Sequence, residues 1–465
     1  MLLSATLPPE VTEYGFRHRQ PYAVQLRTIA EMVTHNRGYN LNALGTGKTF
    51  CALAAYDILR MQGKVGRMLV VSPLSTLRFT WVREVIAAFP HLRVEVLHGT
   101  KAKRLATLDK SADIYVINHD GVKTIFDELL SSHWIDALVI DELAVYRNGQ
   151  SDRTKLMRTL AKRMRWVWGM TGAPMPRSVC DVWAECSIVT PGTVPKYFSH
   201  FRNQLQYKDG PFKWVNRPGA VEEAVRVMQP SVRFSLDDVL ELPSMVMQYV
   251  ETEMGRKQAQ IYAAMRTRAI AMVKGQQIDA LNAGAVMSKL LQIALGWVYS
   301  RDGATVQLDN QARIDAILEY IDGTPNKALV FLPFKHALAG VSAALKKEGI
   351  RHFVVSGDTS ATERNKVFDA FQNGGGKFPL IAHPACLAHG ITLTAADTVI
   401  WGGPTTSLEI FQQANARIRR IGQRHKQLVV MLGGTHIERH VYTILSSNDA
   451  TQIQFLDLLS EVSKI

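Results

Sequence analysis

The stretch "NALGTGKTF" (Asn42–Phe50) decides how the rest of the chain is read. A short apolar lead precedes it and the apolar helical segment "FCALAAYDILRM" follows, so the order is strand, glycine loop, helix. Gly45 and Gly47, flanking Thr46, let backbone N–H groups close around phosphates. Lys48 reaches the terminal phosphates and Thr49 can ligate Mg²⁺. Asn42 stands where such loops usually carry their first glycine.

Downstream lies "WIDALVIDELAVYRN", in which an apolar strand ends in Asp141 and Glu142. A carboxylate at the end of a buried strand is costly unless it is employed. Asp141 can hold Mg²⁺ through water, and Glu142 can position or deprotonate an attacking water. An acidic helix cap is the plainer reading, and the phosphate loop upstream weakens it.

Apolar strands alternate with amphipathic helices along the whole chain, which argues α/β with parallel sheets. The strands fall into two sets. The first holds "RMLVVS", "RVEVLH", "IYVIN" and "ALVID"; the second holds "KALVFLP", "RHFVVSG", "FPLIAH", "DTVIWGG" and "QLVVMLGG". Each set suits one doubly wound sheet, whose ligands bind beyond the strand C-termini. The expected hinge is "LELPSMVMQYV", where Pro243 and Ser244 break the pattern. The expected domains are therefore residues 1–243 and 244–465. Two regions fall between motifs. The first, about 195–235, is aromatic and basic, a composition that can stack bases and hold phosphates or simply pack a small subdomain. The second, about 254–298, reads as core-forming helices.

With 465 residues the chain is too long for one ordinary core. Its formal charge of +13 points toward a polyanion, nucleic acid first. The four cysteines (Cys51, Cys180, Cys186 and Cys386) show no metal-ligand or redox spacing and read as buried thiols. No apolar run reaches transmembrane length, and "MLLSATLPPE" is no signal peptide. A cytoplasmic protein without membrane association is expected.

"LVIDELA" together with "VWGMTGAPMPRSVCDVWAECSIV" resembles the nucleic-acid-dependent ATPases of helicase superfamily two. Within "VVSPLSTLRFTWVREV", Pro73, Leu77, Trp81 and Glu84 are similar to the Pro…Trp-x-x-Glu signature of Swi/Snf-type ATPases. The second half agrees through "VVSGDTSATERNKVFDAFQNG", "HPACLAHGITLTAADTVIW", "QQANARIRRIGQ" and "GGTHIERHVYTIL". The resemblance runs from about Gln25 to Tyr442, and "HPACLAHGITL" and "YFSHFRNQ" look most like compact phage and prophage members. It implies two tandem RecA-like lobes with a helical insertion in each.

The resemblance also implies roles. ATP and Mg²⁺ are the implied cofactors. Gln25 meets adenine, and Gly45, Thr46, Gly47, Lys48 and Thr49 bind the nucleotide. Thr49 and Asp141 serve the metal. In "QQANARIRRIGQRHK", Arg417 and Arg420 share a face if the segment is helical, and the family assigns them to the transferring phosphate beside Lys48 and Glu142. Thr171 and Gly172 couple nucleotide state to lobe movement. Ser72, His98, Asn118, Arg364 and Thr394 fall at nucleic-acid motif positions. The implied activity is DNA-dependent ATP hydrolysis that drives a monomer along double-stranded DNA in the cytoplasm, the host's if phage-encoded. A strand-separating DNA or RNA helicase is one alternative. An ATP-switched nucleic-acid clamp with little turnover is another. Ala144 stands where the family has His, Ala173 where it has Thr, and Leu387 and Ala388 where eukaryotic relatives have a Gly pair.

Overall fold

Strands that are apolar on both faces need helices on both sides of their sheet. "RMLVVS" shows the partition. Leu69 and Val71 join one hydrophobic cluster with Tyr115, Ile117, Leu138 and Ile140. Met68 and Val70 join the opposite one with Ile114, Val116, Ala137 and Val139. The period of two along each strand divides the core into two layers.

The computed structural model describes residues 7–172, 174–175, 178–210, 213–234, 243–275, 280–299, 305–387, 391–420 and 422–446. It divides into two units, residues 1–241 with 389–391, and 242–388 with 392–465. The first carries a wholly parallel seven-stranded sheet in the order Val94–Leu97, Ile114–Asn118, Arg67–Ser72, Ile135–Asp141, Trp166–Met170, Arg37–Asn40, Ser231–Val232. Asn40 and Asp141 both stand opposite Met170, so the phosphate loop and the Asp-Glu pair emerge from the same C-terminal edge. The second unit carries a parallel six-stranded sheet, ordered Met245–Glu251, Gln427–Gly433, Ala396–Trp401, Lys327–Phe331, Leu380–Ala382, Phe353–Val355. Both units are doubly wound α/β sheets of the RecA-like kind.

Residues 240–242 of the expected hinge lie outside the described residues. Most of "LELPSMVMQYV" is the edge strand Met245–Glu251, paired along its full length with Gln427–Gly433. Its side chains are mostly exposed although "MVMQYV" is largely apolar. Two small hairpins also escape a sequence reading: Gln206–Lys208 with Trp214–Asn216, and Trp297–Tyr299 with Thr305–Gln307. Three residues per strand are too few to show a period. The first hairpin follows the helix Phe198–Leu205; the second follows the helices Arg256–Gly275 and Ala280–Leu295.

Cys51, Cys180 and Cys186 are buried free thiols and Cys386 is half-buried. Among the described residues no helix is long and apolar enough to cross a membrane.

Candidate active site

The helix Lys48–Met61 starts from Gly47, whose φ of 86° lies in the left-handed region, as does that of Gly45. Gly47 has a second reason to be glycine, because a Cβ there would lie 2.3 Å from Gln25 Nε2. That amide donates to Thr46 O at 2.9 Å, while Gln25 Oε1 accepts from the Tyr22 backbone at 3.1 Å. Gln25 is buried and braces the loop, a contact the sequence does not reveal. The Lys48 ammonium donates to the carbonyls of Asn42 (2.8 Å) and Ala43 (3.1 Å), which holds it over the loop. Asn42, the departure at the first-glycine position, is an internal bracket. Its Nδ2 donates to Thr28 Oγ1 at 2.8 Å and its Oδ1 accepts from Phe234 N at 2.8 Å.

Gly47→Ala is expected to raise the KM for ATP at least about tenfold. Left-handed backbone costs a Cβ-bearing residue ~1–2 kcal/mol, before the collision with Gln25. Steady-state kinetics checks it.

Asp141 ends its strand beside Trp81, a pairing the sequence order hides. The indole Nε1 donates to Asp141 Oδ2 at 3.1 Å across 60 positions of chain. Trp81 is fully buried in the turn of helix Leu77–Val82. Burial raises the Asp141 carboxyl above its ordinary range, while the Trp81 hydrogen bond and the nearby Lys48 charge pull it back down. Glu84, the other half of the Trp-x-x-Glu pair, accepts a hydrogen bond from Arg19 NH1 at 2.5 Å.

Glu142 has φ 55° and ψ 55° and is the one non-glycine residue with positive φ among those described. Such strain persists only where the surroundings over-determine it, and it clusters at functional sites. Thr171 is buried and its N–H donates to Asn40 O at 3.2 Å. A Cβ on Gly172 would meet Leu44 of the phosphate loop at 3.4 Å. The Thr-Gly pair therefore lies against the loop. Ala144 is buried; Ala173 and Ala388 lie outside the described residues.

In the second unit the arginines differ from the helical expectation. The helix Leu408–Asn415 ends before them. Turn bonds take over, from Arg417 N to Ala414 O and Ile418 N to Asn415 O. Gln423 Nε2 caps Ile418 O at 3.0 Å, and Leu393 N donates to Arg417 O. Arg417 is buried, with Nε donating to Gln413 O at 2.7 Å. Arg420 donates from Nε to Ala416 O and from NH1 to Thr392 Oγ1, both at 3.2 Å, and burial lowers its pKa to about 10. It stays a cation at neutral pH.

The residues at nucleic-acid motif positions fall into two groups. Ser72 is buried, its hydroxyl bonded to Thr76 Oγ1 at 2.9 Å, and is turned to internal use. Asn118 Oδ1 accepts from Arg104 NH2 at 3.2 Å, and Thr394 Oγ1 accepts from Gln372 Nε2 at 3.2 Å. His98 is exposed beside Lys103 and Arg78. Arg364 donates from NH2 to Thr359 O at 3.1 Å, leaving its Nε without a partner among the described residues.

The chain is similar to known proteins along most of its length. Residues 36–295 match the SNF2-related domain and residues 312–422 the helicase conserved C-terminal domain. Protein p41 of Acyrthosiphon pisum secondary endosymbiont phage 1 is 26% identical over 81% of this chain and 83% of its own length. An ATP-dependent helicase of Mycoplasma pneumoniae is 23% identical over 83% of this chain and 37% of its own length. The SWI/SNF-related matrix-associated actin-dependent regulator of chromatin subfamily A-like protein 1 of Xenopus tropicalis is 23% identical over 82% of this chain and 39% of its own. This chain thus spans most of the phage protein but under two fifths of the other two. Among solved structures, the Sulfolobus solfataricus SWI2/SNF2 ATPase core in complex with dsDNA aligns over 96% of this chain and 95% of that chain, at 21% identity and a TM-score of 0.45.

Proposed function

The chain belongs to the SNF2-related family of nucleic-acid-dependent ATPases, and we propose that it is a Swi/Snf-type motor that ATP hydrolysis drives along double-stranded DNA. The observation that carries this reading is the juxtaposition on one sheet edge of a glycine loop, a lysine held over it, and a strained Asp-Glu pair.

The residues fit ATP and Mg²⁺. Lys48 already rests on two carbonyls, partners that a phosphate oxygen can replace at little cost. Asp141 accepts from Trp81 and, with the further lone pairs of a carboxylate, could also take a metal-bound water. Mg²⁺ would sit with Thr49 and Asp141, where it would neutralise phosphate charge. Gly45, Thr46 and Gly47 present N–H groups to phosphate. Glu142 orients the attacking water and takes its proton. Arg417 and Arg420 stabilise charge on the transferring phosphate. Thr171 and Gly172, packed against the loop, carry its state to the rest of the motor. DNA is held through its phosphates, so affinity falls with salt and depends weakly on sequence. His98, which is exposed, would serve there, with Arg364, Asn118 and Thr394 at the family's other motif positions. The protein acts as a monomer in the cytoplasm.

Trp81→Phe tests the metal side. An outer-shell hydrogen bond to a ligand is worth about 10–100-fold in metal affinity, so half-saturation by Mg²⁺ should move up within that range. The lost indole hydrogen bond also stops holding the Asp141 carboxyl down. Its pKa rises further, and the acid limb of kcat should shift to higher pH. An unchanged Mg²⁺ titration and pH profile would refute the role.

Translocation is tested by displacement of a third strand from a triplex. Displacement that needs ATP and an intact Lys48, with the duplex left paired, supports the duplex motor. Separation of the duplex strands would make the protein a helicase instead.

A further inference from the structure

The aromatic, basic region between the two expected lobes' motifs folds into a surface that the motor does not use. From Lys196 to Arg217 it holds five cations (Lys196, Arg202, Lys208, Lys213 and Arg217) and one acid, Asp209, which pairs with Lys213 at 3.2 Å. Its helix Phe198–Leu205 is anchored by buried Phe201 and Leu205, both part of the first unit's core. Trp183 Nε1 pins the approach by donating to Pro195 O at 2.8 Å. Arg217 ties hairpin to helix, its N–H donating to Leu205 O and its Nε to Asn203 O. The platform is thus fixed from below.

Rings and guanidiniums alternate across it. Arg158 lies 5.5 Å from the Trp183 ring, Trp183 meets Phe198 edge-on at 5.5 Å, and Arg202 sits 5.5 Å from Phe198 and 3.9 Å from Trp214. At the margins Lys196 stands over Tyr197 and Arg217 over Tyr207. Subdomain packing does not require the outer rings, since Tyr197 is 58% and Tyr207 44% exposed. Nor does an internal acid employ Arg202. It pairs with no carboxylate, and its Nε has no hydrogen-bond partner among the described residues. With its flat face held by the Trp214 ring and its Nε enclosed, Arg202 has its terminal nitrogens to offer a phosphate.

We propose that this cation–aromatic ladder is an accessory binding site for unpaired nucleic acid, separate from the duplex track of the motor. Exposed rings can stack only on bases that are not already stacked and paired, and the interleaved cations follow the backbone. A paired duplex would use the charges and leave Tyr197 and Tyr207 idle. The site would let the protein hold a single strand beside the duplex on which it works.

The test is fluorescence anisotropy of the full chain, without nucleotide, using labelled oligo(dT), oligo(U) and a duplex of equal length. The variant Tyr197→Ala/Tyr207→Ala removes two exposed rings and no core contact. It should bind oligo(dT) or oligo(U) about 5–100-fold more weakly, with duplex binding and duplex-stimulated kcat unchanged. Arg202→Ala should weaken single-strand binding further and flatten its salt dependence. Loss on oligo(dT) alone assigns DNA and on oligo(U) alone RNA; either supports the site. Unchanged single-strand binding in the tyrosine variant, or equal loss on the duplex, overturns it. The readout uses no hydrolysis, so failure of the motor reading would appear separately, in the ATPase of the unmodified chain.

Discussion

Arg420→Ala is expected to lower DNA-stimulated kcat by about 10³–10⁵-fold, the range for an arginine that stabilises a transferring phosphoryl group. The KM for ATP should change little, because the interaction strengthens in the transition state and adds little to the ground state. Among the described residues Arg420 pairs with no carboxylate. It is buried enough for its pKa to fall to about 10, yet stays charged near neutrality. Its guanidinium is partly exposed and bonds a carbonyl and a hydroxyl, so an incoming anion can reach it. Arg420→Lys keeps the charge and loses the fork, so its kcat should lie between those of wild type and alanine. Arg417→Ala should behave differently. That side chain is 1% exposed, so its removal should reduce stability as well as turnover. A kcat within about tenfold of wild type for Arg420→Ala would remove it from the chemistry.

Glu438→Ala is the substitution expected to cost most in stability, about 3–5 kcal/mol, the usual penalty for breaking a buried ion pair from one side. Arg313 NH1 and NH2 reach the two Glu438 oxygens at 2.8 and 3.2 Å, with both side chains within 3% of full burial. The arginine also donates to Gly402 O at 2.7 Å, and Glu438 Oε2 accepts from Gly434 N and Thr435 Oγ1. These bonds tie the helix His436–Ser446 and the turn before it to the helix Gln311–Gly323. Gly434 is confined to glycine, because a Cβ would lie 2.2 Å from Thr252 O. Thermal unfolding should show an earlier transition for Glu438→Ala and for Arg313→Ala. The double variant Arg313→Met/Glu438→Leu should recover much of the loss, because no charge is left stranded. A wild-type melting curve for Glu438→Ala would contradict this account.

The closing "GGTHIE" segment thus has a structural explanation that its sequence does not disclose, since Arg313 is 125 positions away. The same division runs through the molecule. Lys48, Thr49, Asp141 and Glu142 are legible because a phosphate site needs particular side chains at fixed local spacings. The paired strands are legible where they are buried on both faces. "RGYN" (Arg37–Asn40) is not, being short and polar. Arg37 makes it stable by donating to the carbonyls of Val189, Ala161 and Met164. Trp81 on Asp141, Gln25 on Thr46 and Asn42 on Thr28 are all made by the fold, and no local period announces them. The arginine segment shows the converse: its three-residue spacing is local, but the helix ends before it and turn bonds to Ala414 and Asn415 follow.

A duplex-driven ATPase motor is best probed by ATP hydrolysis of the purified chain alone and with double-stranded DNA, single-stranded DNA or RNA, with Lys48→Ala as the blank. Such a motor shows strong stimulation by duplex DNA and none in the variant. Bound ATP without turnover under any of these conditions would contradict the motor and leave a nucleotide-switched clamp.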